Sequence, residues 1–232
     1  NRDLGLLDEV KTQAIAQACK QIYEGRCHDQ FVVDVIQGGA GTSTNMNANE
    51  VIANLALEIL GQPKGAYEVL HPNQHVNMSQ STNDVYPSAL KVAGYFGVLK
   101  LLDAMAVLRL SFENKAEEFK DVLKMGRTQL QDAVPMTLGQ EFSTYAVMIG
   151  EDEQRLSEAL SLITEINLGA TAIGTGINTP PAYAALVCKH LRELTGIPLA
   201  TAPNLIEATQ DCGSFVQMSG VLKRIAVKLS KV

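Results

Sequence analysis

The chain has 232 residues, 46% of which are hydrophobic, and a formal net charge of −6. This length and composition are typical of a globular protein of one or two domains with a substantial core, and the acidic balance argues against a nucleic-acid-binding surface. The sequence contains no run of about 18 apolar residues, so it does not favour a membrane protein, and we expect a cytoplasmic one.

Apolar residues recur at helical spacing along most of the chain, which indicates long helices. The predicted helices span residues 7–22, 46–60, 84–123 and 137–166, and a further helix starts near 205 and still runs at 232. Because the longest of them far exceed the average of about 11 to 12 residues, the pattern predicts an all-α fold, an elongated bundle of long helices. Their wide apolar faces predict a bundle shared between subunits. Helical periodicity continues to Val232 without a stop signal, so we expect a fragment that ends inside a helix.

A glycine-rich loop precedes the second helix. Gly38, Gly39 and Gly41 come just before Thr42, and glycine permits positive φ and close approach of the backbone to a neighbour or a ligand. The loop completes neither a P-loop nor a dinucleotide-binding motif. It is therefore interpreted as a polar loop at a helix start and not as a nucleotide site.

A second polar loop, residues 71–84, leads into the longest predicted helix, and Pro87 is expected in the first turn of that helix. Ser81, Thr82 and Asn83 are all residues that favour an N-cap, so one of them is expected to start the helix. The start of a helix also favours a carboxylate or phosphate, so both a capped helix and an anion site stay open.

Two histidines lie in the same loop, at His71 and His75. Pro72 breaks the helical spacing that a zinc-binding pair would use, and no H-E-x-x-H motif is present. We therefore do not expect a metal site here.

A third polar segment, residues 124–141, interrupts two long helical patterns and contains Thr128 and Gln129. Considered alone, it is interpreted as a corner between two helices. Residues 167–176, rich in glycine and other small residues, are interpreted as a place where helices cross closely.

Four motifs occur in a fixed order: Gly-Ala-Gly-Thr-Ser at 39–43, Gln-Ser-Thr-Asn-Asp at 80–84, Gly-Arg-Thr-Gln-Leu-Gln-Asp-Ala-Val-Pro at 126–135 and Asn-Leu-Gly-Ala-Thr-Ala-Ile-Gly-Thr-Gly at 167–176. Together they resemble the aspartase/fumarase superfamily, and its aspartate ammonia-lyases in particular. The resemblance implies an aspartase/fumarase-like central helical domain. Residues 1–80 would end the N-terminal helical region with its polar substrate loop, and 81–232 would form a truncated bundle domain.

The resemblance implies a lyase that eliminates ammonia from L-aspartate to give fumarate, reversibly, through an aci-carboxylate intermediate. Such an intermediate needs several preorganised hydrogen-bond donors. Thr42, Ser81 and Thr82 match the superfamily's donors to the developing carboxylate. The group around the amino end and the second carboxylate is matched by Asn83, Thr128 and Gln129.

The resemblance also concerns two further residues, His71 and Asn73, and a loop of the superfamily that this sequence lacks. His71 and Asn73 match a secondary anion site of fumarases, although a structural role for His71 is the more expected one. No Gly-Ser-Ser-x-x-Met-Pro-x-Lys-x-Asn segment occurs, so the serine base is expected beyond Val232 and no catalytic residue is assigned within the chain. The N-terminal segment and the C-terminal domain of the superfamily are likewise expected to be missing, and the fragment alone is expected to be inactive.

The resemblance also implies partners. We expect a small dicarboxylate substrate and a homotetramer whose active sites are shared between subunits, with no nucleic acid, no membrane and no required cofactor. Activation by a divalent cation stays open. Gln129 stands where fumarases and many aspartases have histidine, and glutamine cannot exchange protons at neutral pH. This weakens the alternative of a class II fumarate hydratase. A non-catalytic helical assembly module is the other alternative.

Overall fold

A computed structural model describes residues 1–37, 39 and 41–232. The helices are α1 (Glu9–Tyr23), α2 (Thr42–Ile59), α3 (Thr82–Glu118), α4 (Leu138–Leu160), α5 (Tyr183–Thr195), α6 (Leu205–Gln210) and α7 (Gly213–Lys231). The strands are β1 (Leu123–Thr128), β2 (Gln131–Thr137), β3 (Glu165–Ile166) and β4 (Ala200–Thr201). Helices dominate and the strands are short, so the predicted helical fold class is confirmed.

The described residues form two compact units. The first comprises Asn1–Lys91 and Glu165–Asp211, and the second comprises Val92–Thr164 and Cys212–Val232. These units group residues by contact alone. The division into 1–80 and 81–232 therefore stays a prediction about domains.

Small side chains hold the first unit together. Ala14 and Ala18 of α1 are buried in one cluster with Ala53 and Leu57 of α2 and with Leu70. Because alanine adds little bulk, two helices that meet at such positions can approach closely while removing apolar surface from water. The C-terminal half of α2 thus packs against α1.

The core of the second unit lies between α3, α4 and α7. Val98, Met105, Ile149, Leu156 and Ile225 are among its buried residues. Thr137 fixes the start of α4 with a capping box, since its hydroxyl accepts from Gln140 N at 3.1 Å and its own N–H donates to Gln140 Oε1 at 2.9 Å. Such caps contribute about 1 kcal/mol.

The expected corner between helices at residues 124–141 is wrong. β1 and β2 form an antiparallel hairpin in which Thr128 pairs with Gln131. Gln129 and Leu130 form the two-residue turn, both with positive φ (51° and 62°). Asparagine and glycine favour such turns, and neither residue occurs here, so the sequence carried no hairpin signal.

Other helix boundaries also differ from the predicted pattern. The helix predicted from 205 to 232 is two helices, α6 and α7, because Asp211 adopts an extended conformation after α6. α5 was not predicted. The crossing of helices expected at 167–176 is wrong, because these residues lie in no helix. Gly174 nevertheless permits a close approach to α6: its φ is 97°, and an added Cβ would lie 2.3 Å from the Cα of Ile206.

Among the described residues, no helix is both long enough and apolar enough to cross a bilayer.

Candidate functional site

Gly41 places the N-terminal ends of α2 and α3 side by side. Its φ is 80°, and a Cβ at this position would lie 2.4 Å from the ring of Tyr86 in α3. Both the conformation and the space therefore require glycine. The expected positive φ is confirmed at Gly39 (79°) and Gly41, whereas Gly38 lies outside the described residues.

Thr42 is the first residue of α2. Its hydroxyl donates to Gly39 O at 2.9 Å, and its side chain is exposed. Gly41 in the N-cap position offers no side-chain cap to the first turn. Backbone N–H groups at such a helix start favour an anion.

Ser81 caps α3, which begins at Thr82. Asn83 N donates to Ser81 Oγ at 3.2 Å. This confirms the prediction that one of Ser81, Thr82 and Asn83 starts the helix. The bond satisfies one of the first N–H groups of α3, as an N-cap serine does.

Thr82 is buried and connects the two helix starts. Asn45 Nδ2 in the first turn of α2 donates to Thr82 Oγ1 at 2.9 Å. Asn45 also lies 3.3 Å from Asn77 Oδ1, which accepts from Asn49 Nδ2 at 3.1 Å. Because the Thr82 hydroxyl accepts from Asn45, its hydrogen can be given to another acceptor.

Asn83 is exposed at the same helix start. Its Nδ2 donates to the carbonyl of Ala172 at 2.7 Å. An amide nitrogen carries two hydrogens, so a second N–H and Oδ1 remain for a ligand. The contact fixes which way the amide points.

Asp84 is a residue of this site that the sequence reasoning missed. It is fully buried, and Oδ1 accepts from Ser81 N at 2.9 Å while Oδ2 accepts from Thr171 N at 2.8 Å and Gly169 N at 3.1 Å. Burial raises the pKa of Asp84, and the backbone N–H donors oppose that shift. The spacing from Ser81 to Asp84, which is that of a capping box, was the available signal.

Thr128 and Gln129 lie at the tip of the β1–β2 hairpin in the second unit, and both are exposed. Gln129 holds a positive φ of 51°, a conformation that costs a non-glycine residue roughly 1 kcal/mol or more. The structure thus places the start of α2, which carries Thr42, beside the start of α3, which carries Ser81, Thr82 and Asn83, in the first unit. That Thr128 and Gln129 join them stays a prediction.

His71 has a structural role. Its Nδ1 accepts from Asn73 N at 3.0 Å and from Gln74 N at 3.3 Å, so it caps the short helical turn Pro72–Val76. His75 Nδ1 in turn accepts from His71 N at 2.8 Å. Both Nδ1 atoms are thereby engaged by backbone donors. A secondary anion site at His71 and Asn73 stays a prediction.

Within residues 1–37, 39 and 41–232, no group of three or more His, Cys, Asp or Glu side chains is arranged to hold a metal ion.

Comparisons with known proteins give matches along the whole chain. The family described as Lyase matches residues 1–232. An aspartate ammonia-lyase of Helicobacter pylori (strain ATCC 700392 / 26695) is 62% identical over 232 residues, which are 100% of this chain and 50% of that protein. The chain spans about half the length of the curated relatives it matches.

Solved structures agree. A Brucella melitensis protein described as fumarate lyase:delta crystallin, bound to cobalt, superimposes with a TM-score of 0.97 at 55% identity, covering 100% of this chain and 50% of that one. A class II fumarase from Schistosoma mansoni superimposes with a TM-score of 0.92 at 32% identity, covering 99% and 51%.

Proposed function

Because the chain belongs to the lyase family over residues 1–232, we propose that its protein is an aspartate ammonia-lyase, which eliminates ammonia from L-aspartate to give fumarate in a reversible reaction. Membership of the lyase family confirms the resemblance to the aspartase/fumarase superfamily that the four sequence motifs carry. The proposal concerns the whole protein, whereas the residues below are those this chain contributes.

One observation carries the proposal: two helix starts bearing hydroxyl donors meet through the bond from Asn45 to Thr82. The first turns of both helices, which carry the positive ends of the helix dipoles, are joined by this bond. Loss of the C3 proton from aspartate leaves a carbanion delocalised onto a carboxylate. Neutral donors fixed before the reaction stabilise such charge because they need no reorganisation.

The residues divide into two roles in this proposal. Ser81 and Thr82 donate to the carboxylate that gains charge, and so does Thr42 once its hydroxyl turns from Gly39 O to the ligand. Asn83 with Thr128 and Gln129 surrounds the amino end and the second carboxylate. None of these side chains exchanges protons readily at neutral pH. They are therefore assigned to binding and charge stabilisation, and not to proton abstraction.

We also propose a homotetramer with shared sites, in the cytoplasm, with no required cofactor. Association is supported by large apolar residues left exposed on helices of the second unit. These are Phe96, Leu99, Val107 and Leu110 on α3, Val147 on α4, and Val216, Leu222 and Val227 on α7. Exposed apolar residues in such number are typical of surfaces that another protein covers. The assay described below, run with and without Mg²⁺, tests whether a divalent cation activates the enzyme.

Fumarate hydratase is the weaker alternative, because the fumarase is 32% identical where the aspartate ammonia-lyase is 62% identical. Gln129 adds to this, since it replaces the histidine expected in fumarases. A non-catalytic module is not favoured either, because the donors of the first unit are positioned by specific bonds.

The test is made on the whole protein and follows fumarate by its ultraviolet absorbance while L-aspartate, L-malate and argininosuccinate are offered separately, with and without Mg²⁺. We expect turnover with aspartate and release of ammonia in equal amount. Turnover of malate alone would establish the hydratase. Absence of turnover with all three, in a protein whose helical circular dichroism is intact, would favour the non-catalytic module.

A further inference from the structure

A proline leaves a gap in the hydrogen bonding of α3 at a candidate binding residue. In an α-helix the N–H of residue i+4 donates to the carbonyl of residue i. Residue 87 is a proline inside α3 and has no N–H, so the carbonyl of Asn83 receives no such bond. Pro87 lies in the second turn and not in the first turn as expected, because α3 begins at Thr82.

Asn167 fills this gap from outside the helix. Its Nδ2 donates to Asn83 O at 3.0 Å and to Thr209 Oγ1 at 3.2 Å, so both amide hydrogens are used. Asn167 is 3% exposed, and its Oδ1 lies 3.5 Å from Ser88 Oγ. Because both hydrogens of this buried amide are engaged, the Asn167 side chain is fixed in one orientation between Asn83 and Thr209.

The segment that contains Asn167 holds Asn83 at a second point. Ala172 O accepts from Asn83 Nδ2 at 2.7 Å, so residues 167–172 hold both the backbone carbonyl and the side chain of Asn83. Thr171 supports this arrangement at a cost, since it is a buried β-branched residue with φ of 59°. Such strain persists only where surrounding contacts over-determine it.

We propose that Asn167 is a positioning residue, which orients Asn83 for the ligand by taking the place of the helical N–H that Pro87 lacks. The identity of the ligand, a dicarboxylate with an amino group, rests on the proposed function. The positioning itself rests only on the bonds among Asn83, Pro87 and Asn167. Residues 167–172 therefore position Asn83, a role other than the close helix crossing that their small side chains led us to expect.

Pro87 makes the inference testable, because Pro87→Ala restores an N–H that can donate to Asn83 O within the helix. The variants are Asn167→Ala, Pro87→Ala and the two combined. Asn54→Ala is the matched control: Asn54 also joins a helix to a loop of the first unit, through Tyr67 Oη at 3.1 Å and Gly65 N at 2.9 Å. It makes no bond to residues 81–84.

Two measurements are made on each variant of the whole protein: hydrogen exchange at the amides of Ser81, Gly169 and Thr171, and kcat and KM with L-aspartate. We expect Asn167→Ala to accelerate exchange and to lower kcat/KM about tenfold to a hundredfold, mainly in kcat, because misplacement by about 1 Å is that costly. Pro87→Ala should recover much of both losses in the double variant. Asn54→Ala should stay within about twofold of wild type in kcat/KM.

A merely structural role for Asn167 predicts no rescue, so a double variant as impaired as Asn167→Ala would overturn the proposal, as would unchanged exchange in Asn167→Ala. If Asn167→Ala folds only in the Pro87→Ala background, that is itself the expected rescue. Thr209→Val loosens the Asn167 amide without removing it and gives a milder version of the comparison. Absence of turnover in the whole wild-type protein would refute the lyase, while the exchange data would still decide the positioning role.

Discussion

The amide nitrogen of Asn45 lies 2.9 Å from the hydroxyl oxygen of Thr82 and joins the first turns of α2 and α3. Both residues are buried, and the bond spans 37 positions of sequence. The two helix starts therefore depend on each other for their geometry.

Asn45→Ala is expected to reduce the free energy of unfolding by about 1 to 3 kcal/mol, because the buried Thr82 hydroxyl and Asn77 amide lose a donor. Urea denaturation of the purified protein measures the change. Asn47→Ala is the control on the same helix: its bonds to Gln30 O and Val32 N are exposed, so it should cost less than about 1 kcal/mol. Equal losses would show that the Asn45–Thr82 link has no special weight.

Thr82→Val is expected to lower kcat by about 10² to 10³ while the protein stays folded, since it removes one donor to the developing charge and keeps the shape of the side chain. Thr82→Ser keeps the hydroxyl and should retain most of the activity. Steady-state kinetics with aspartate, beside circular dichroism, distinguish the two. Similar turnover in both variants would mean that Thr82 serves only as a helix residue.

Substitutions in the hairpin turn are expected to raise stability and to lower activity. Replacing Gln129 by Asn and Leu130 by Gly removes the strain of two positive φ values, so Tm should rise, by the equivalent of about 1 to 2 kcal/mol. Turnover should fall, because the shorter amide no longer reaches the ligand. Leu130→Gly alone should give part of the stabilisation and keep activity near wild type. A stabilised double variant with full turnover would remove Gln129 from the site.

Because the pKa of His75 is lowered in the folded protein, we expect stability to depend on pH. Burial lowers its pKa from the usual 6.5, with smaller contributions from Lys11 and His71 and an opposing one from Asp8. A histidine whose folded pKa is lowered favours the folded state when neutral, so its contribution is lost as pH falls below about 6.5. Protonation would also break the bond that Nδ1 accepts from His71 N.

His75→Asn retains an acceptor for His71 N but does not titrate. The loss in unfolding free energy between about pH 7.5 and about pH 5.5 should therefore be smaller in this variant than in wild type. Urea midpoints at the two values measure it. An equal loss in both proteins would assign the dependence to other groups.

The parts of the structure that follow local rules could be predicted from the sequence. Ser81 and Thr82 mark a helix start because capping depends on neighbours one to three residues away. The bonds of Asp84 to Gly169 and Thr171 could not be predicted in this way, since their partners lie 85 and 87 residues further along the chain. The hairpin escaped prediction for a different reason. Its turn residues, Gln129 and Leu130, adopt a conformation that their side chains disfavour.

Asp84 has a consequence for how catalysis would respond to acid. Asp84 is the only one of residues 81–84 whose side chain can gain a proton as pH falls, and burial raises its pKa. Protonation of its carboxyl exchanges charge-assisted bonds to the N–H groups of Ser81, Gly169 and Thr171 for neutral ones. Because the folded pKa is raised, the protonated carboxyl does not destabilise the fold. Acid would thus leave the segment folded and every neutral donor in place, and any loss of binding would come from a changed alignment of the three N–H groups that the Asp84 carboxylate holds.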